Sequence, residues 1–202
     1  MNTNEYLQAL ANRRTIYALD KNIKVTPERL REIVELAVQN PPSAFNSQTA
    51  RAIILLENHH KILWDITTEC LKERVPAEHF AGTQEKMDSF MAAAATILYY
   101  EDMNIVEGLQ KQFPTYADNF PLWSMQANGM VQENVWVALE LEGLGASIQH
   151  YNPLIDEKVK EAWSIPDGWK LIGQMVVGNP LAPAGEKEVA DIKERVKLYQ
   201  WG

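Results

Sequence analysis

The sequence predicts an α+β fold, in which one small central sheet is wrapped by helices. Three observations predict it. Segments with helical spacing outnumber strand-like ones, and three short, continuous apolar runs (residues 52–56, 96–100 and 171–177) read as strands covered on both faces. No glycine-rich phosphate loop follows any of these runs, which removes most support for a doubly wound nucleotide fold. The 202 residues contain no repeat and no linker long enough to divide them, so residues 1–202 form a single domain.

The elements follow in order. Residues 4–12 read as a short helix running into Arg13-Arg14-Thr15. Thr26, Pro27 and Glu28 form a strong helix start, and Leu30, Ile33, Val34, Ala37 and Val38 share one face. Asn40-Pro41-Pro42 stops that helix, because proline lacks the donor and restricts the residue before it. After the polar stretch 43–49 comes the first strand, and then a helix capped by Asn58. An alanine-rich helix precedes the second strand. The longest helical pattern, residues 122–141, is apolar nearly all round and ends at Gly143 and Gly145. Such a helix is a buried centre or an oligomer interface. Gly178-Asn179-Pro180 terminates the third strand. Residues 186–202 follow a Pro/Gly-rich break yet keep Val189, Ile192, Val196, Leu198, Tyr199 and Trp201. That tail should dock on its own domain or on a partner chain.

Charge narrows the function. With 19 lysines and arginines against 27 acids, the chain carries −8, which disfavours nucleic acid and anionic membranes as partners. No apolar run approaches the ~20 residues that cross a bilayer. The single cysteine, Cys70, excludes an intramolecular disulfide and a multi-cysteine zinc site, so a soluble protein of a reducing cytoplasm is expected. Cys70 sits at helical spacing and reads as core. His59-His60, adjacent on a helix, cannot share a metal and reads as a solvated helix start; no metal site is expected. The Met and Trp residues between Trp123 and Trp136 read as core.

Three polar clusters carry chemistry. Arg13-Arg14-Thr15 puts two guanidinium groups and a hydroxyl at a helix-to-loop junction, where they suit a phosphate or form a solvated pair. Residues 42–48 (Pro-Ser-Ala-Phe-Asn-Ser-Gln) join a helix to a strand with many amide and hydroxyl groups, which read the edge of a planar ring or make ordinary turns. Lys193-Glu194-Arg195 lies in the tail, where alternating charge otherwise means an exposed edge or face.

In this order the clusters resemble the nitroreductase family of flavin mononucleotide (FMN) enzymes. That family has an Arg-Arg-Ser/Thr motif, a Pro-Ser-x-x-Asn-x-Gln loop and a C-terminal Lys-x-Arg. Leu144-Gly145-Ala146-Ser147 and Gln149-His150-Tyr151-Asn152 add to the likeness, which spans nearly the whole chain. The resemblance implies a mostly antiparallel sheet, and a homodimer whose long helix lies at the interface and whose tail reaches the partner. It implies FMN shared by both chains, with NADH or NADPH as electron donor and a nitroaromatic or quinone as small-molecule acceptor. Arg13, Lys193 and Arg195 would hold the phosphate, with Arg14 and Thr15 nearby. Asn46 and Gln48 would bond the flavin ring or ribityl chain, and Ser43 and Phe45 would line it. Ser147, Gln149 and His150 would face the reactive side, where a backbone donor serves N5; alternatively His150 is a satisfied structural histidine. No side chain is assigned as acid or base, since the flavin carries the chemistry. The chain is too short for the inserted helical excursion of larger members, which implies a more open pocket. A flavin-binding redox sensor with incidental turnover, or an acidic helical module without cofactor, are the readings from other classes.

Overall fold

The computed structural model describes residues 2–200, so Trp201 of the apolar tail lies outside the described residues. Eight helices and five strands are assigned among these residues: α1 (Thr3–Asn12), β1 (Leu19–Asp20), α2 (Pro27–Gln39), β2 (Ala50–Leu56), α3 (Glu57–Lys72), α4 (Phe80–Met91), β3 (Ala95–Asp102), α5 (Met103–Gln112), α6 (Phe120–Leu141), β4 (Gly145–Gln149), α7 (Asp156–Trp163), β5 (Trp169–Pro180) and the single turn α8 (Ile192–Arg195). Short 3-10 turns cover Ala44–Asn46, Ala77–His79 and Pro114–Asn119. No helix among the described residues is long and apolar enough to cross a membrane.

The sheet runs β1-β5-β3-β2, and β4 also pairs with β5; all these pairs are antiparallel. Both faces are covered, which explains the continuous apolar runs. Ile97, Tyr99 and Met175 meet Leu30, Val34, Val135 and Leu139 from α2 and α6. Leu98, Tyr100 and Val176 meet Leu63, Trp64, Phe90 and Val159 from α3, α4 and α7. Alternate residues of a strand point to opposite faces, so each core draws every second residue of β3.

Capping follows sequence at α2, where Thr26 Oγ1 accepts from Arg29 N–H. Elsewhere tertiary structure overrides local signals. The expected Asn58 cap is not formed: α3 begins one residue earlier, at Glu57, without a side-chain cap. The alanines 92–94 lie outside the helix expected there, because α4 ends at Met91 and Ala95 already pairs with Leu56. Gly178-Asn179-Pro180 does not end β5, since these residues pair with β4 and β1. The strand β2, expected to be covered on both faces, is an edge strand in which only Leu55 is fully buried. His60 is not solvated: it is 3% exposed and bonded to Thr96 Oγ1 and the Phe90 carbonyl. Cys70 is buried, as its spacing indicates.

The long helix is confirmed, but it is not core on every side. Leu122, Met125, Met130 and Leu141 are exposed, which departs from the reading of Met125 and Met130 as core. The tail does not dock on its own domain either: Val189, Ile192, Val196, Leu198 and Tyr199 all stand exposed.

Candidate functional site

The loop between α2 and β2 is the most unusual backbone of the chain. Phe45, Asn46 and Gln48 all adopt left-handed conformations, with φ of 57°, 51° and 46°. Non-glycine residues there cost about 1–3 kcal/mol each and persist where surrounding contacts over-determine them. Those contacts are present. Ser43 Oγ accepts from Gln48 N–H at 3.0 Å, Ser43 O accepts from Asn46 N–H at 2.9 Å, and Arg51 Nη1 donates to Gln48 O at 2.7 Å. The Phe45 ring lies 4.8 Å from Phe113 and 5.3 Å from Phe120, and stacks near-parallel to Trp123. The Asn46 side-chain amide has no partner among the described residues.

Between this loop and α6 lies a cavity of about 340 Å³, lined by Pro42, Ser43, Ala44 and Phe45 and by Trp123, Gln126, Ala127 and Met130. The volume and apolar walls suit a planar aromatic group. Trp123 and Met130, read from sequence as core, are therefore wall residues. Phe113 at the end of α5 and Tyr116 of the turn Pro114–Asn119 pack on Phe45 from the side away from α2 and β2.

The first arginine cluster meets α6 further along. Arg13, at the end of α1, sets Nε 3.1 Å from Glu133 Oε1, and its guanidinium lies 4.4 Å from the Trp136 ring centre. Arg14 Nη2 donates to Gly185 O at 2.6 Å. Thr15 bridges in parallel to Ala146, and Ile16 N–H donates to Ala146 O at 3.0 Å. This joins the first cluster to β4. Ser147 and Gln149 are buried, and Gln149 Nε2 donates to Ser147 Oγ at 3.1 Å. The outer edge of β4 is bridged only at Ala146. By the two-residue alternation of a strand, Ile148 N–H points to that same open edge. His150 is exposed just beyond, its ring beside Gly173.

One chain does not bring all clusters together. The loop faces α6 residues 123–130 across the cavity, and Arg13 contacts the helix at Glu133 and Trp136; the midpoints of the two stretches lie about 12 Å apart along the axis at 1.5 Å per residue. Lys193 and Arg195 sit on exposed α8 and form no ion pair among the described residues.

The fold and the order of the clusters along the chain point to one family. The nitroreductase family model matches residues 10–179, and the chain belongs to that family. It is 46% identical to nitroreductase CinD from Lactococcus lactis, solved with chloramphenicol and with 4-nitrophenol; the chloramphenicol complex superposes with TM-score 0.89, covering 96% of this chain and all of that one. The nitroreductase FRM2 of Saccharomyces cerevisiae is 33% identical over 187 residues, covering 92% of this chain and 93% of FRM2. A nitroreductase-fold protein of Exiguobacterium sibiricum, solved with FMN, superposes at TM-score 0.73 over 98% of this chain and 99% of its own; at 14% identity that likeness is one of fold. The family and these relatives support an oxidoreductase function.

Proposed function

We propose that the chain is an FMN-dependent NAD(P)H oxidoreductase working as a homodimer, with each flavin held by both chains. The observation that carries this reading is that the loop with Phe45 and the Arg13 guanidinium meet α6 at separate levels in one chain, while Lys193 and Arg195 stand apart on α8. A second copy laid against the exposed Leu122, Met125 and Met130 would supply the missing half of each site.

The residues present fit the flavin. Arg13, with Nε engaged by Glu133, keeps its terminal nitrogens for a phosphate, and Lys193 and Arg195 add charge that no acid of the described chain neutralises. The Asn46 amide and Gln48 would bond the ring or ribityl chain, the cavity beside Phe45 would receive planar groups, and Ile148 N–H would serve a ring acceptor. Bound there, FMN supplies hydride transfer through N5, from NADH or NADPH to a nitroaromatic, quinone or related acceptor. Ser147 and Gln149 act indirectly, by bonding each other and fixing β4. The tail supports the dimer as well: it leaves its own domain exposed, and the edge strand β2 with α2 forms a groove lined by Val34, Val38, Ala52 and Ile54.

The test is an absorbance spectrum of purified protein, before and after NAD(P)H is added without oxygen. Flavin bands that bleach support the reading. A colourless protein that fails to take up added FMN overturns it.

A further inference from the structure

The carbonyl end of the loop is gripped by one side chain. Arg51, the second residue of β2, turns its guanidinium back along the chain. Its Nη1 donates to Gln48 O at 2.7 Å and to Ala50 O at 3.0 Å, and its Nη2 donates to Asp102 Oδ2 at 3.1 Å. Trp169 of β5 stands opposite Asp102 in register, and its ring centre lies 5.7 Å from the guanidinium. Among the described residues Arg51 is the only cation paired with Asp102, whose other oxygen, Oδ1, is buried without a hydrogen-bond partner. Asp102 is a firm anchor: its N–H donates to Thr49 O at 3.0 Å, and α5 starts from it.

The residue that Arg51 grips is strained. Gln48 has φ of 46°, and its own N–H is held by Ser43 Oγ at 3.0 Å. Its two flanking peptides are thus fixed from opposite sides, Ser43 before and Arg51 after, which is what keeps a left-handed residue from relaxing. The side chain that this backbone carries is only lightly engaged. Gln48 Nε2 donates to Asn46 O at 3.3 Å, and Oε1 has no partner among the described residues.

We propose that Arg51, anchored by Asp102, is a positioning residue that clamps the peptide after Gln48 and thereby aims the Gln48 side chain into the flavin site.

The chemistry of the clamp requires an arginine. One nitrogen of a rigid, planar fork reaches two carbonyls while another reaches a carboxylate, and the Trp169 ring backs the plane. A lysine ammonium is a single point charge, which can neutralise Asp102 or reach Gln48 O but does not span both.

The inference rests on the flavin reading, and its test separates the two. Hydrogen exchange of Gln48 N–H is measured on protein freed of flavin, together with urea midpoints and fluorescence titrations with FMN and with riboflavin. The proteins are the wild type, Arg51→Met, Arg51→Lys, Gln48→Ala and the double variant Arg51→Met with Gln48→Ala. Arg51→Met should speed exchange at Gln48 and weaken both flavins about tenfold, the scale of one released left-handed residue. It should also lower the urea midpoint, because the Asp102 carboxylate is left unpaired. Arg51→Lys should recover the midpoint through its charge, but neither the protection nor the affinity. In the Gln48→Ala background, Arg51→Met should cost no further affinity, since Arg51 acts through that side chain. Unchanged Gln48 exchange in Arg51→Met overturns the clamp, and so does an Arg51→Lys protein that matches the wild type in protection and affinity. Losses that add in the double variant also overturn it, as does a loss confined to FMN, which would make Arg51 a phosphate contact. A wild type that takes up neither flavin removes the flavin reading, while faster Gln48 exchange in both Arg51 variants still upholds the clamp.

Discussion

Glu133 orients Arg13: Nε and Oε1 are 3.1 Å apart, and the Trp136 ring supports the guanidinium from 4.4 Å. Glu133 and Trp136 are three residues apart on α6, so they share a face and grip the arginine from one side. An arginine held through Nε presents its terminal nitrogens in a fixed plane, which is the arrangement that suits a phosphate. Arg13→Ala should therefore weaken FMN about tenfold or more, on the scale of a charge-assisted hydrogen bond, while riboflavin changes by less than about twofold. Paired fluorescence titrations decide it, and equal losses for both flavins would remove Arg13 from the phosphate site.

The exposed side of α6 and the exposed tail lead to a second expectation. Light scattering at micromolar concentration should give twice the 23.0 kDa chain mass. Deleting residues 187–202 should lower both dimer content and flavin retention, because Lys193 and Arg195 leave with the apolar Val196, Leu198 and Tyr199. A monomer that keeps FMN as tightly as the full chain would contradict both roles of the tail.

The sheet carries a sharper steric constraint. A Cβ on Gly178 would stand 2.6 Å from Asp20 O and 3.0 Å from Leu19 Cβ. The carbonyl cannot retreat without opening the β1–β5 pair, in which Asp20 faces Asn179. Gly178→Ala should cost about 1–3 kcal/mol, the usual penalty of overpacking, read as a lower urea midpoint. An unchanged midpoint would mean that β1 is free to shift.

Much of this architecture is legible in the sequence where periodicity and burial agree. The run through Ile97, Leu98 and Tyr99 reads as a two-faced strand because each face has its own helices to meet. The helix from Phe120 to Leu141 is equally clear, and its exposed Met125 and Met130 escape notice because composition cannot say which apolar face stays open. The strand β4 is too short and glycine-led to signal itself; pairing with β5 makes it a strand. The polar residues 43–48 announce a loop, yet nothing local foretells left-handed Phe45 and Asn46, which depend on Phe113, Phe120 and Trp123 from distant elements. Glu133 looks like an ordinary acid in sequence. Its importance comes entirely from the Arg13 guanidinium that the fold sets beside it.

His60 is the clearest case of such context and gives the last prediction. Its Nε2 lies 3.1 Å from Phe90 O, and a carbonyl only accepts, so Nε2 carries the proton. Thr96 Oγ1 already accepts from Trp64 Nε1 at 3.0 Å, which leaves its hydroxyl proton to donate to His60 Nδ1 at 2.9 Å. Both nitrogens are satisfied in the neutral imidazole, and burial favours that form. Burial lowers its pKa, outweighing the opposing hydrogen bonds from the Met91 and Phe90 backbone. A lowered histidine pKa makes the folded state bind fewer protons than the unfolded chain below the ordinary value near 6.5. The stabilisation is thus present above about pH 6.5 and is lost as pH falls through the folded value, with a slope of up to about 1.4 kcal/mol per pH unit. Urea melts of the wild type should show this loss as pH falls below about 6.5, and His60→Gln should lack that part of the slope. Nitrogen NMR should find the Nε2–H tautomer at pH 6; a charged ring there, or identical pH slopes for both proteins, would contradict the assignment.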